Sequence, residues 1–257
     1  MKTLLKQHDM VYEAAPLEWE QGFLLGNGNL GAVIWGDGDP TTFMLNRMDA
    51  WDRRNNLDFG PDGNYQSLRK LLDAGQFEEV AGRYNTRQEI PYPTPVSIGG
   101  IRLDFGSQPK GFEGRLGLLD ATAAGTIFLD HGQARFSSFI HAQKNLLVLE
   151  VDLEGDATFK YTPEVDCQIL HSPQERATEN HAETLKAWGY PPAETGSEGA
   201  LSWHLQQIPD SGSYCVMWAL QEEPQARRFT LLLSVELCQD GDPLVTARNQ
   251  MDEALEC

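Results

Sequence analysis

Apolar and polar residues alternate with a period of two along much of the chain, which predicts half-buried β-strands. The clearest runs are Leu147–Leu153 and Phe229–Leu237. A third run, Ala134–Ile140, follows Thr126–Leu129 across Asp130-His131-Gly132, which predicts a hairpin with a glycine-containing turn. Three shorter runs in the first fifty residues predict further strands: Gly22–Leu25, Ala32–Trp35 and Thr41–Leu45.

Helical periodicity is confined to two places. Between Tyr65 and Tyr84 the apolar residues have helical spacing, and Gly75 interrupts them, which predicts two short helices with a glycine cap. Near the end, Asp242-Pro243 has the pattern of an N-cap followed by a first-turn proline. The residues that follow form an apolar stripe that we expect to need a partner: Leu244, Ala247, Met251 and Leu255.

These patterns predict a mainly β fold, a large antiparallel β-sandwich with a short helical insertion near residues 65–84. We assign residues 1–242 to the sandwich and residues 243–257 to the start of a linker helix. The stretch His171–Ala200 is polar and rich in Glu, Pro and Gly, and it is predicted to be a long loop.

The charge balance narrows the classes of partner. The chain has 257 residues, 38 acidic against 20 basic, for a net charge of -18. Such a surface repels phosphate backbones and anionic lipid, so we expect neither nucleic-acid nor membrane binding, whereas a neutral sugar is not disfavoured. The first ten residues do not resemble a signal peptide, so we expect a cytoplasmic protein; a secreted or periplasmic one is the alternative if a leader has been removed.

The cysteines and histidines show no recognised motif. Four cysteines lie far apart in the second half of the chain, and their spacing matches neither a metal site nor a redox pair. We therefore expect thiols rather than disulfides, and neither a metal nor a cofactor. The chain has no HExxH motif and no Gly-x-Ser-x-Gly elbow, and its acidic residues are too numerous to nominate a catalytic pair.

The segment Gly26-Asn27-Gly28-Asn29-Leu30-Gly31 matches the dinucleotide-binding pattern G-x-G-x-x-G. That mechanism needs a helix to begin at the glycines, because the pyrophosphate sits on the helix N-terminus. Here four β-favouring residues, Ala32–Trp35, lead directly to Gly36-Asp37-Gly38. We therefore predict a tight turn between strands; a nicotinamide enzyme stays the third hypothesis, to be decided by the backbone after Gly31.

A second polar segment, Leu45–Asn56, follows a predicted strand and contains one aromatic residue, Trp51. Amide and carboxylate groups beside an indole suit sugar binding, because the indole face covers sugar C–H groups while the polar groups bind hydroxyls. The alternative is a solvated loop that Trp51 anchors.

Several segments resemble, in order, those of glycoside hydrolase family 95, the α-L-fucosidase family, which is related to family 65. Phe23–Gly36 resembles its opening LPLGNGRLGAMVFG segment, and Leu45-Asn46 with Trp51 resembles its LNEDTLWSG signature. Leu68–Gly75 resembles its IRKLLLEG helix, and Arg115–Thr122 resembles YRRELDLDTA. Further matches are Pro95–Phe105, Phe136–Leu153 and Asp240–Pro243, the last of which resembles the point where the chain of that family leaves its first domain.

The resemblance implies a non-catalytic N-terminal sandwich whose partner is an (α/α)₆ catalytic domain of the same polypeptide. No catalytic residue carries over, because the family's catalytic residues lie in that barrel. As residues that rim the sugar pocket we assign Asn27, Asn46, Trp51, Asp52 and Arg53. Arg47 and the pair Asp52-Arg53 depart from the family pattern, which leaves a different sugar open. The alternative function is a free-standing carbohydrate-binding module with Trp51 as its platform.

Overall fold

The computed structural model describes residues 5–54, 60–84, 93–165, 168–169 and 181–256. Cys167, Cys257 and residues 171–180 lie outside these ranges, as does the end of the polar segment at Asn55 and Asn56. Among the described residues no helix is long and apolar enough to cross a membrane.

Antiparallel strands dominate the described chain. They are β1 (Met10–Tyr12), β2 (Phe23–Gly26), β3 (Leu30–Gly36), β4 (Thr41–Arg47), β5 (Trp51–Asp52), β6 (Thr94–Ser97), β7 (Gly99–Asp104), β8 (Gly111–Gly117), β9 (Thr122–Leu129), β10 (Gly132–Ile140), β11 (Leu146–Gly155), β12 (Lys160–Glu164), β13 (Gln168–Ile169), β14 (Glu194–Glu198), β15 (Leu201–Ile208), β16 (Gly212–Glu223) and β17 (Arg228–Cys238). The helices are α1 (Tyr65–Asp73), α2 (Phe77–Tyr84), α3 (His181–Ala187) and α4 (Pro243–Leu255), with a short 3₁₀ turn at Trp19–Gln21.

The strands of the described residues form three sheets. The large sheet has nine strands in the order β1-β8-β9-β10-β11-β17-β16-β15-β14, and a five-stranded sheet has the order β12-β7-β4-β3-β2. A small third sheet has the order β13-β6-β5. The prediction of a mainly β antiparallel sandwich is therefore confirmed.

The main core lies between the two larger sheets. From the five-stranded sheet it takes alternate residues such as Phe23, Ile34 and Phe43, and from the nine-stranded sheet residues such as Phe136 and Leu233. The edge of Phe43 meets the Phe136 ring with centroids 6.0 Å apart. The period of two thus places one face of each sheet in the core, as the sequence predicted.

A second apolar cluster covers part of the outer face of the nine-stranded sheet. Helix α4 packs there on β16 and β17, and its Ala247 and Met251 are fully buried against Met217 and Leu232. Asp242 caps the helix, because its side chain accepts a hydrogen bond from the Leu244 amide at 2.9 Å. The predicted cap is confirmed, but the expectation that the apolar stripe needs a partner is wrong, because the sheet already supplies one.

The predicted hairpin is confirmed with Leu129 opposite Gly132, and the helical insertion is confirmed as α1 and α2. Gly75 follows α1 with φ +70, the conformation that terminates a helix. The predicted loop at 171–200 is wrong where the chain is described, since α3 and β14 lie there. The sequence of β14 shows no alternation of apolar and polar residues, because β14 is an edge strand that is largely exposed on both faces.

Candidate functional site

The turn Asn27–Asn29 connects β2 to β3, and no helix begins at its glycines. Gly28 has φ +94, a backbone conformation that residues with a side chain rarely adopt, so the turn favours glycine there although an added β-carbon would meet no neighbouring atom. The predicted strand–turn–strand is confirmed, and the nicotinamide hypothesis is excluded because the helix it requires is absent.

Asn27 uses all its hydrogen-bonding capacity inside the protein. Its side-chain oxygen accepts from the amides of Asn29 and Leu30, at 3.0 and 2.9 Å. Its Nδ2 donates to the carbonyl oxygens of His141 at 3.0 Å and Lys144 at 2.9 Å, in the β10–β11 turn. An amide side chain has two donors and two acceptor positions, so this one is fully occupied in fastening two turns together.

The other four predicted rim residues lie on β4, β5 and the chain after them, but they point in different directions. Asn46 lies half-buried on the outer face of the five-stranded sheet, directly opposite Gly31. Trp51 is 39% exposed, and its indole nitrogen donates to the carbonyl oxygen of Met48 at 3.0 Å. Arg53 is exposed, and its backbone amide donates to the Ser211 hydroxyl at 3.0 Å.

Asp52 differs from these neighbours because it is completely buried. It accepts hydrogen bonds from the Arg54 amide at 3.1 Å, from Arg54 Nη2 at 2.6 Å and from the Tyr190 hydroxyl at 2.8 Å. Arg54 in turn donates to the carbonyl oxygen of Trp188 at 2.5 Å and lies over the Tyr190 ring, 5.4 Å from its centroid. We call the group Asp52, Arg54, Trp188 and Tyr190 the Asp52 clamp.

Burial acts to raise the pKa of Asp52, but hydrogen bonds from Arg54 and Tyr190 and the Arg54 charge outweigh it, and the pKa is lowered. The Asp52 hydrogen bond correspondingly raises the pKa of Arg54. The clamp is therefore an ionised pair that joins β5 to the segment after α3.

A second buried ionic group, the Arg47 network, links the two larger sheets and α4. Arg47 ends β4, points into the core and is paired with Asp49 through two hydrogen bonds of 2.9 and 2.8 Å. It also donates to the carbonyl oxygen of Val235 at 2.8 Å and lies 3.6 Å from the carboxylate of Glu236. Gln250 of α4 donates to Ser234 at 2.6 Å beside it.

The two carboxylates of this network differ in pKa. The Arg47 hydrogen bonds lower the pKa of Asp49. Burial raises the pKa of Glu236, against the opposing effect of hydrogen bonds from Asn145 at 3.2 and 3.3 Å and of the Arg47 charge. Burial acts to lower the pKa of Arg47, but Asp49 and Glu236 outweigh it and the pKa is raised.

Sequence reasoning did not identify these two networks. Arg47 could have been noticed, because it continues the buried alternation of Phe43 and Leu45 and is a charge at a core position. Arg54 and Tyr190 gave no signal, because 136 residues separate them and a polar stretch surrounds Tyr190.

Among the described residues, no group of three or more histidines, cysteines or acids has the geometry of a metal site. Cys215 and Cys238 are free thiols. Burial raises the pKa of Cys215 to about 12, so its thiol is protonated and unreactive at neutral pH.

Comparison with known proteins gives a family match and a structural match for the chain. Residues 10–244 match the protein family described as "Glycosyl hydrolase family 65, N-terminal domain". Among solved structures, the fold is similar to that of a chain described as "Putative kojibiose phosphorylase from human microbiome", with a TM-score of 0.57 and 11% identity. The match covers 97% of this chain and 35% of that one. No curated protein matches the sequence.

Proposed function

The chain belongs to the N-terminal domains of glycosyl hydrolase family 65, and from this premise we propose that it is the non-catalytic β-sandwich of a longer carbohydrate-active enzyme. The observation that carries the proposal is the coverage: nearly the whole chain aligns with about a third of a longer neighbour. Its partner is then a catalytic domain of the same polypeptide, which we propose to be an (α/α)₆ barrel.

In this proposal the predicted rim residues divide into two roles. Asn46, Trp51 and Arg53 offer half-buried or exposed groups that can contact a sugar. Asn27 and Asp52 act by position, because their polar atoms are already engaged: Asn27 fastens the β2–β3 turn to the β10–β11 turn, and Asp52 joins β5 to the segment after α3.

The finer proposal concerns the reaction. The family 95 resemblance favours hydrolysis of α-L-fucosides, whereas the neighbouring structure's name favours phosphorolysis of kojibiose. The experiment compares residues 1–257 with a polypeptide that includes the coding region downstream, assayed on an aryl α-L-fucoside in water and on kojibiose with inorganic phosphate.

We expect residues 1–257 alone to be inactive and the longer polypeptide to be active in one of the two assays. Turnover by residues 1–257 alone would overturn the non-catalytic role. Phosphate-dependent cleavage of kojibiose would overturn the fucosidase assignment while leaving the domain's role intact.

A second candidate is the free-standing carbohydrate-binding module. It is favoured by one observation: the Trp51 indole is partly exposed, and its bond to Met48 fixes its orientation. Calorimetry with a glycan panel tests it, with Trp19→Ala as matched control, because Trp19 is 40% exposed on a different surface element. The module predicts binding that Trp51→Ala abolishes and Trp19→Ala preserves; binding that survives Trp51→Ala refutes it.

A further inference from the structure

The outer face of the nine-stranded sheet is only partly covered by helix α4. The helix packs on β15, β16 and β17, and no helix of the described residues packs comparably on β8, β9 or β10. On those strands, with β1 and β11 beside them, lies an open trough of about 950 Å³. Ligand sites in proteins commonly have this volume. None of the predicted rim residues lines it.

The register of the strands arranges the trough lining in rows. One row runs across four neighbouring strands as Arg115, Ala124, Ser137 and Glu150. Strands in a sheet are about 4.8 Å apart, so the row is about 14 Å long. Its centre carries two small side chains and its ends carry long charged ones, which gives a low floor between raised ends.

A second row lies two residues further along the same strands and consists of Glu113, Thr126, Arg135 and Asp152. Beyond it, Phe128 stands opposite Gly111, whose missing side chain leaves the ring open on that side. The trough therefore combines hydroxyls, carboxylates and aromatic rings, which are the groups that bind the hydroxyls and the C–H faces of sugars.

The charges of the trough favour a neutral ligand. Its arginines are already paired, Arg135 with Glu154 and Arg115 with Asp9, so they offer no uncompensated charge to an anion. By contrast, Glu113 and Glu150 form no ion pair or side-chain hydrogen bond within the part of the chain that the structure describes. Two carboxylates without donors are acceptors for hydroxyl groups, and they repel a phosphorylated or sulfated ligand.

We propose that this trough is a second carbohydrate-binding site, for a neutral oligosaccharide chain laid across β8 to β11. The choice of a sugar as ligand rests on the proposed function, while the position, the polarity and the preference for a neutral chain rest on the trough itself. In the longer enzyme such a site would hold a polymeric substrate or product on this domain.

The test is calorimetric titration of the 257-residue chain with maltohexaose, cellohexaose, xylohexaose and 2′-fucosyllactose, one at a time. We expect at least one of them to bind. Glu150→Gln should weaken that binding about tenfold, since it removes a charged acceptor while preserving the side-chain shape. Ala124→Trp should abolish it by filling the floor.

Two variants serve as controls. Glu194→Gln changes an exposed carboxylate on β14, at the opposite edge of the same sheet, and Trp19→Ala removes an exposed indole that does not line the trough. Both should leave the dissociation constant within about twofold of the parent. If Ala124→Trp does not fold, as judged by near-ultraviolet circular dichroism, Glu150→Gln and Ser137→Ala carry the test, because the one removes a charge and the other a hydroxyl from the trough without adding volume.

The proposal would be overturned by no binding to any of the four sugars, by binding that persists in every trough variant, or by binding that only Trp51→Ala abolishes. A change of oligomeric state in the trough variants without sugar binding would mark the face as a protein interface and would also overturn it. The outcome is independent of whether a longer polypeptide gains activity, so this proposal and the proposed function fail separately.

Discussion

Asp52 and Glu236 are both buried carboxylates near an arginine, yet the protein shifts their pKa values in opposite directions. Asp52 receives several short hydrogen bonds from Arg54 and Tyr190, and its pKa is lowered. Glu236 lies 3.6 Å from Arg47, whose better bonds go to Asp49, and its pKa is raised. Burial alone therefore does not decide the charge of a carboxylate; the number and length of the hydrogen bonds it receives do.

The largest expected effect is that of Asp52→Asn, because it leaves the Arg54 guanidinium partly buried without its counter-charge. Removing one member of a buried pair costs about 3–5 kcal/mol of unfolding free energy. Urea denaturation at pH 7 measures this. Asp130→Asn is the control, since Asp130 pairs with Lys110 in an exposed ion pair and should cost less than about 1 kcal/mol.

Asp52 also makes the stability of the folded protein depend on pH in the acidic range. The pKa of Asp52 is lower in the folded protein than in the unfolded chain, so its stabilisation is complete above the ordinary aspartate pKa and is lost as pH falls through the folded value. Denaturation curves from pH 7 to pH 3 should show this loss in the parent and a smaller one in Asp52→Asn. Parallel curves would show that the clamp is not ionised.

Tyr190→Phe sharpens the comparison by removing one donor from Asp52 while preserving the ring beneath Arg54. A hydrogen bond to a charged group contributes about 1.5–3 kcal/mol, and we expect a loss in that range at pH 7. The pKa of Asp52, followed by carboxyl carbon NMR, should rise. A stability loss with an unchanged pKa would mean that the hydroxyl acts elsewhere.

Asn145→Ala removes the amide donors of Glu236. We expect a loss of about 1–2 kcal/mol and a further rise of the Glu236 pKa, since burial is then opposed by fewer hydrogen bonds. Side-chain NMR titration of Glu236 gives the pKa directly. Gln143→Ala, in the same turn but exposed, is the matched control.

The smallest effect is expected for Glu236→Gln. Because the folded pKa of Glu236 is raised, its ionisation destabilises the protein, and stability declines as pH rises from the ordinary glutamate pKa through the folded value. The glutamine side chain does not ionise, so the variant loses this decline in stability but also loses the weak attraction to Arg47. The net change in the free energy of unfolding at pH 7 should therefore stay below about 1 kcal/mol. A loss as large as that of Asp52→Asn would make the two carboxylates equivalent and remove the contrast.

The strands of the core could be predicted from the sequence because their alternation records which face is buried, as in Leu147–Leu153. The cap at Asp242 and the break at Gly75 could be predicted because each reflects local backbone chemistry. The burial of the α4 stripe could not, since Leu232, Ser234 and Glu236 on the same face of β17 mix apolar with polar residues. The Asp52 clamp could not either, because Trp188 and Tyr190 come from a distant segment that carries no periodic pattern.

The hydrogen bonds made by Asn27 determine when the β2–β3 turn can become fixed during synthesis. Its side chain is anchored to carbonyl groups 114 and 117 residues further along the chain. At a synthesis rate of roughly 5–20 residues per second, those partners emerge on the order of ten seconds after Asn27 itself. The turn between the first two strands of the five-stranded sheet thus leaves the ribosome with two unmatched amide protons, and it becomes fixed only when the middle of the chain arrives.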